Sequence, residues 1–217
     1  GSGPSSGSLT VKAGGHITES GSITTQNQPV ILWSDSDGNG AGALWLGQVS
    51  ATPAAIAINT NGGHFWAGGG SGSTTWNGLT VGSSYATGDS TTYSNGIILN
   101  RVAISTGGGN VALYGKSTVG AGLNTIVEWT PTAQGIRFST LETSSINSGT
   151  GTIVLDGVGR STSNDTWVGG VELATYSAAV SHSITSAATA GDAITITGDA
   201  STVNSGSPLA AFGIFIN

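Results

Sequence analysis

The first residues in this sequence whose types and spacing suit chemistry are Asp35, Asp37, Asn39 and Gly40. Oxygen donors at alternate positions followed by glycine open calcium loops, because the turn at glycine brings successive side-chain oxygens towards one cation. The twelfth position of such a loop is Leu46, where a bidentate glutamate is needed, so an EF-hand is excluded. Two readings stand: a calcium half-site on Asp35, Asp37 and Asn39, or a turn in which Asx side chains bond their own backbone. No other cofactor is expected. His16 and His64 each follow Gly-Gly, and Asn110 and Thr152 hold the matching place in later segments. A position that accepts His, Asn and Thr is a polar corner rather than a base. His182 lies between Ser181 and Ser183, but adjacency in sequence says nothing about triad geometry.

Carboxylates come next. Asp156, Asp165, Asp192 and Asp199, with Glu128, Glu142 and Glu172, are the candidates for polysaccharide cleavage. Glycosidases hold two carboxyls about 5–9 Å apart, and no two of these fall at equivalent places in neighbouring segments. The chain is therefore not expected to be an enzyme. Asn164-Asp165-Thr166 matches an N-glycosylation acceptor, a pattern frequent by chance. Of the six Trp residues, Trp45, Trp129 and Trp167 are assigned to core filling.

What must position these groups is set by composition. Only 7% of the 217 residues are charged and none is cysteine, which removes disulfides and thiolate metal sites. A net charge of −6 with Lys12, Lys116, Arg101, Arg137 and Arg160 as the permanent cations leaves little footing for nucleic acid. No apolar run reaches the length of a membrane-spanning helix, so no membrane insertion is expected. Ser, Thr, Gly and Asn dominate, and they are poor helix formers. Essentially no α-helix is expected, and because cysteine-free, Lys-poor, Thr/Asn/Gly-rich repeats are common in exported bacterial proteins, the expected location is extracellular or at the bacterial cell surface.

Two elements alternate along the chain. In the first, an aliphatic residue precedes by seven positions an alternating apolar strand that ends near glycine: Ile23 before Val30, Ile58 before Phe65, Ile104 before Val111 and Ile146 before Ile153. Ile184 before Ile194 is a copy with an insertion, and Leu9 to Ile17 is a looser first copy. The second element is Gly followed by aliphatic, any, aliphatic, as in Gly96-Ile97-Ile98-Leu99, Gly135-Ile136-Arg137-Phe138, Gly170-Val171-Glu172-Leu173 and Gly213-Ile214-Phe215-Ile216, with Ala43-Leu44-Trp45-Leu46 as an earlier copy. A strand buries alternate residues and cannot cover its inward face alone; stacking parallel copies joins those faces into one column. The expected fold is a right-handed parallel β-helix over residues 9–217, following a Gly/Ser-rich linker over residues 1–8. Each repeat of about 35–46 residues is read as two coils of about 20, giving about ten coils in all. An antiparallel β-sandwich is the rival, disfavoured because hairpin dipeptides do not separate the repeating strands.

At Ser105-Thr106-Gly107-Gly108-Gly109-Asn110-Val111-Ala112-Leu113 the chain resembles the repeat region of filamentous-haemagglutinin-like large exoproteins, and so do Trp33 to Gly40 and Asn61 to Phe65. The resemblance implies secretion through an outer-membrane partner and display as the shaft of an adhesive rod. A carbohydrate-binding module or a polysaccharide-degrading β-helix is the alternative function.

Two surfaces follow from the pattern. Residues between the inward ones point outward, and Ile31, Trp33, Trp66, Tyr114 and Val154 form an apolar strip, expected to stack about 10 Å apart if each repeat makes two coils. The strip is either a contact surface for rods or cell-surface glycans, or is covered by residues 70–95. Phe212, Ile214, Phe215 and Ile216 complete a strand with no polar cap after it, expected to pair with another copy or with a further coil of a parent chain.

Overall fold

The computed structural model describes residues 7–48, 54–118, 132–161, 167–175, 178–200 and 210–217. Trp129, Glu128 and the Asn164-Asp165-Thr166 acceptor lie outside the described residues. The described residues form strands and turns without a helix, and hence no helix long and apolar enough to cross a membrane.

Each passage of the chain around the core lays down one strand in each of three sheets. The first contains β1 (Leu9–Lys12), β2 (Ile17–Glu19) and β3 (Ile23–Thr24), and the second β4 (Val30–Ser34), β5 (Leu44–Leu46) and β6 (Ile56–Asn59). The third runs through β7 (Phe65–Trp76), β8 (Leu79–Ser84), β9 (Ala86–Gly88), β10 (Ile97–Leu99) and β11 (Val102–Ser105). The fourth has β12 (Val111–Ser117), β13 (Thr132–Phe138) and β14 (Ser145–Asn147), the fifth β15 (Ile153–Val158), β16 (Trp167–Leu173) and β17 (Ser183–Thr185), and β18 (Ile194–Asp199) and β19 (Ala210–Ile216) open a sixth. Sheet A stacks β1-β4-β7-β12-β15-β18, sheet B stacks β2-β5-β10-β13-β16-β19, and sheet C stacks β3-β6-β11-β14-β17. The chain is a parallel β-solenoid.

The register confirms both recurring elements. Val30, Phe65, Val111, Ile153 and Ile194 form one ladder in sheet A. Ile23, Ile58, Ile104, Ile146 and Ile184 form another in sheet C. Leu44, Ile97, Ile136, Val171 and Ile214 form the third, in sheet B. Two expectations are corrected here. The two elements belong to one coil, because they enter different sheets; a coil takes 35 residues from Val30 to Phe65 and 46 from Phe65 to Val111. The described chain therefore makes five three-stranded coils and part of a sixth, not about ten. Leu9 is also no copy of the sheet C aliphatic: it pairs with Val30 in sheet A, and Ile17 pairs with Leu44 in sheet B.

The inward side chains of all three sheets form one continuous core that includes Val30, Ile58, Phe65, Ile104, Val111, Leu113, Ile146, Ile153 and Leu155. The glycines at the sheet A to sheet B boundary have a steric cause. A Cβ on Gly115 would lie 2.1 Å from the Gly135 carbonyl oxygen, and one on Gly157 would lie 2.0 Å from that of Gly170. Neighbouring sheets meet backbone to backbone there, which is why Gly115, Gly157 and Gly198 recur in the long strands of sheet A and Gly135, Gly170 and Gly213 in those of sheet B.

One hairpin departs from the coil. β7 runs past its rung and returns antiparallel as β8, with Trp76 opposite Leu79. Asn77 and Gly78 make the turn at φ +47° and +76°, the double positive-φ conformation of a two-residue type I′ hairpin. Trp76-Asn77-Gly78-Leu79 is thus a hairpin signal inside a solenoid, contrary to the expectation that none separates consecutive strands.

Candidate functional site

The hairpin determines what happens to the outward strip. Ile31, Trp66, Ala112 and Val154 are adjacent in the sheet A ladder, one coil apart each, which places them about 4.8 Å apart rather than 10 Å. Ile31 is 4%, Trp33 5% and Trp66 1% exposed. They form a second apolar cluster with Ala112 and with Val81 of β8, against which Trp76, Leu79, Tyr114 and Val154 pack half-buried. Ile31, Trp33 and Trp66 are therefore not a free contact surface: residues 70–95 supply the cover. The Trp33 indole N–H donates to the Gly70 carbonyl at 2.7 Å, and Lys12 Nζ lies 3.8 Å from the Trp33 ring centroid. Burial is offset by a satisfied polar handle.

Where hairpin and sheet A part company, a cavity of about 330 Å³ opens, lined by Thr74, Trp76, Ser83, Tyr85, Tyr114 and Asp156 among others. Tyr114 and Asp156 are register partners on β12 and β15, so alternation puts both on the outer face. Tyr85 reaches in from the link between β8 and β9, and its hydroxyl donates to Asp156 Oδ2 at 3.1 Å. The Tyr85 and Tyr114 rings stand edge to face with centroids 6.2 Å apart. Burial pushes the Asp156 carboxyl above its usual range, opposed by the Tyr85 hydrogen bond. Burial, followed by the Asp156 charge, pushes the Tyr85 hydroxyl up to about 12. Burial and the same carboxylate raise Tyr114. Both tyrosines are therefore neutral hydroxyl groups at physiological pH.

The remaining candidates serve the scaffold. Asp35 Oδ1 accepts from Gly40 N at 3.0 Å, Asp37 Oδ2 from Asn39 Nδ2 at 2.9 Å, and Asn39 Oδ1 from Ala41 N at 2.8 Å. Side-chain oxygens that bond their own loop make an Asx-rich turn, and among the described residues no three His, Asp or Glu gather as a metal group. His64 Nδ1 accepts from Asn110 N at 2.8 Å, and Asn110 Oδ1 in turn accepts from Thr152 N at 2.9 Å. His16 Nδ1 accepts from Ala43 N at 2.9 Å, at a corner before sheet B, whereas His64 precedes sheet A. The two histidines do one job at two different corners. His182 Nδ1 accepts from Ser144 N at 3.2 Å.

Among the described carboxylates, Glu142 faces Arg101 at 3.7 Å, Glu172 faces Arg137 at 3.1 Å and Asp199 faces Arg160 at 2.7 Å. Asp192 is exposed. Asp156 is the one carboxylate among the described residues that lines the cavity, and its partner there is the Tyr85 hydroxyl. Trp45 is buried on the outer face of sheet B with Ile98 and Tyr93 rather than inside the coil, and Trp167 is half-buried against Phe212 and Phe215.

The chain matches no protein-family model, no curated protein and no solved structure. Its function is read from its own geometry.

Trp76 and Tyr85 were not among the residues singled out in the sequence. Asn77-Gly78 between Thr74-Thr75-Trp76 and Leu79-Thr80-Val81 is the signal that locates them. A hydroxyl two positions after each sheet C aliphatic was missed as well. Thr25, Thr60, Thr106 and Ser148 donate to Gln28, Gly63, Gly109 and Gly151 carbonyls three residues on.

Proposed function

We propose that this chain is a non-enzymatic structural and adhesive segment of a large extracellular bacterial surface protein of the filamentous-haemagglutinin-like kind. The observation that carries the reading is the recurrence of one rung in successive coils, the hairpin of the third apart: parallel pairing runs through sheet A from β1 to β18, and corner side chains bond the backbone of adjacent coils. Such a scaffold lengthens by adding coils and places side-surface features at fixed heights. Four of the five cations meet an aromatic ring or a carboxylate, which argues against nucleic acid as the partner.

The exposed edge of β19 belongs to the same reading, to be covered by a further coil of a parent chain or by a second copy. The strand pairs with β16 on one side, and Ile214 and Ile216 are 43% and 67% exposed. A second copy that adds a parallel strand there would cover both. Beads coated with the chain are expected to adhere to epithelial monolayers, and soluble chain should compete. Adhesion no greater than that of albumin-coated beads defeats the adhesive reading. Sedimentation velocity tests the strand: Ile214→Lys with Ile216→Lys should abolish concentration-dependent association.

A further inference from the structure

The cavity at the foot of the hairpin has the chemistry of a saccharide site. We propose that it binds one neutral pyranose unit of an oligosaccharide, an inference that rests on the adhesive reading and supplies its contact point. Three features converge. Aromatic rings of Trp76, Tyr85 and Tyr114 line a cavity of about 330 Å³, and ring faces cover the apolar C–H patches of a sugar at low conformational cost. Thr74, Thr75, Ser83 and Ser84 bring hydroxyl groups to the same rim, each able to donate and accept towards sugar hydroxyls.

The third feature is charge. Asp156 is the one formally charged side chain in the lining. Its Oδ2 takes the Tyr85 hydroxyl, and no donor among the described residues takes Oδ1, which leaves an acceptor for a pair of sugar hydroxyls. As the one formal charge in the lining and with no cation beside it there, the Asp156 carboxylate repels a uronate or a sialyl group, so the site selects neutral sugars over acidic ones. The hairpin builds the site: it buries Trp66 as a floor and leaves Trp76 half-buried at the edge.

The probes are cellohexaose, mannohexaose and laminarihexaose, with hexagalacturonate as the acidic comparator, titrated into the whole chain by calorimetry. At least one neutral hexasaccharide is expected to bind, and the acidic one is expected not to. Asp156→Asn and Trp76→Ala should each weaken binding about tenfold, with Tyr85→Phe close to the parent because its hydroxyl is engaged by Asp156. Asp156→Asn is nearly isosteric, so its melting temperature should stay near that of the parent, which keeps the test informative if Trp76→Ala loosens the hairpin. Absence of binding to every neutral probe, binding undiminished in both variants, or equal binding of hexagalacturonate overturns the proposal. Bead adhesion that survives in Asp156→Asn overturns the cleft and leaves the adhesive reading standing; sugar binding by beads that do not adhere does the reverse.

Discussion

The outer faces of sheets A and B are both buried at their middle rungs, and there they are built from opposite chemistry. On sheet A the outward ladder holds Ile31, Trp66, Ala112 and Val154, and the hairpin closes over it with Val81, Leu79 and Trp76. On sheet B the outward ladder runs Trp45, Ile98, Arg137, Glu172 and Phe215. Its middle is an ion pair in which Arg137 and Glu172 are both 0% exposed. Gln134 Nε2 adds a bond to Glu172 Oε2 at 2.9 Å, and Arg137 Nη1 donates to Thr132 Oγ1 at 2.6 Å. Inside the coil both sheets look alike; outside, one face behaves as a second apolar core and the other as a desolvated polar network. The outward positions of a solenoid strand are thus free to take whichever chemistry their cover demands.

The difference can be broken most severely at Glu172. Glu172→Ala leaves the buried guanidinium without its carboxylate and should cost about 3–5 kcal/mol, read by chemical denaturation. Arg137→Met combined with Glu172→Leu should recover most of that loss. A single-variant loss below about 1 kcal/mol would show that sheet B's outer face admits water and is not the dry network described.

Trp66→Ala tests the apolar face and should cost about 3 kcal/mol, with sedimentation behaviour unchanged because the side chain is inside the hairpin. Trp33→Phe removes the indole donor to Gly70 together with one of the two fused rings, so the expected loss is about 2 kcal/mol, smaller than that of full truncation at Trp66.

The smallest effect is a titration. Tyr85 has a folded-state value of about 12 against an ordinary 10.0. The unfolded chain therefore gives up this proton first. The contribution of Tyr85 is fully present below the ordinary value and is lost as pH rises between about 10 and about 12. Tyrosinate absorbance should show a late step that shrinks in Tyr85→Phe, where the raised Tyr114 remains, and moves earlier in Asp156→Asn. A spectrum without the late step would separate Tyr85 from Asp156.

Much of the scaffold was legible because burial repeats. Val30, Phe65, Val111 and Ile153 are inward in every coil, so periodicity and spacing alone gave the strands, their inward face and their register. Coil number was not legible, since spacing cannot show that Ile97 and Ile104 enter different sheets. The outer face was half legible: alternation placed Trp66 and Tyr114 outward correctly, but whether they meet solvent depends on a hairpin that occurs once. Only Asn77-Gly78 announces it, and a single copy is invisible to a search for repeats. The cleft was missed for the same reason, because Tyr85 and Asp156 are 71 residues apart and meet only through that excursion.

The corner contacts of His64 and Asn110 have a mechanical consequence. Each fastens one coil to its neighbour and to nothing more distant, so a rod loaded through its two ends yields coil by coil once the hairpin that clasps the second to fifth coils has let go. A coil contributes about 4.8 Å to the length of the stacked rod. Peeled off and drawn straight, the 35 residues from Val30 to Phe65 span about 120 Å and the 46 from Phe65 to Val111 about 160 Å. Under single-molecule pulling the tether should lengthen in steps of that size, each dissipating work as one rung of ladder bonds gives way. A surface anchored through such a rod would feel shear as a series of small releases, and the connection would stay intact while its length grew many-fold.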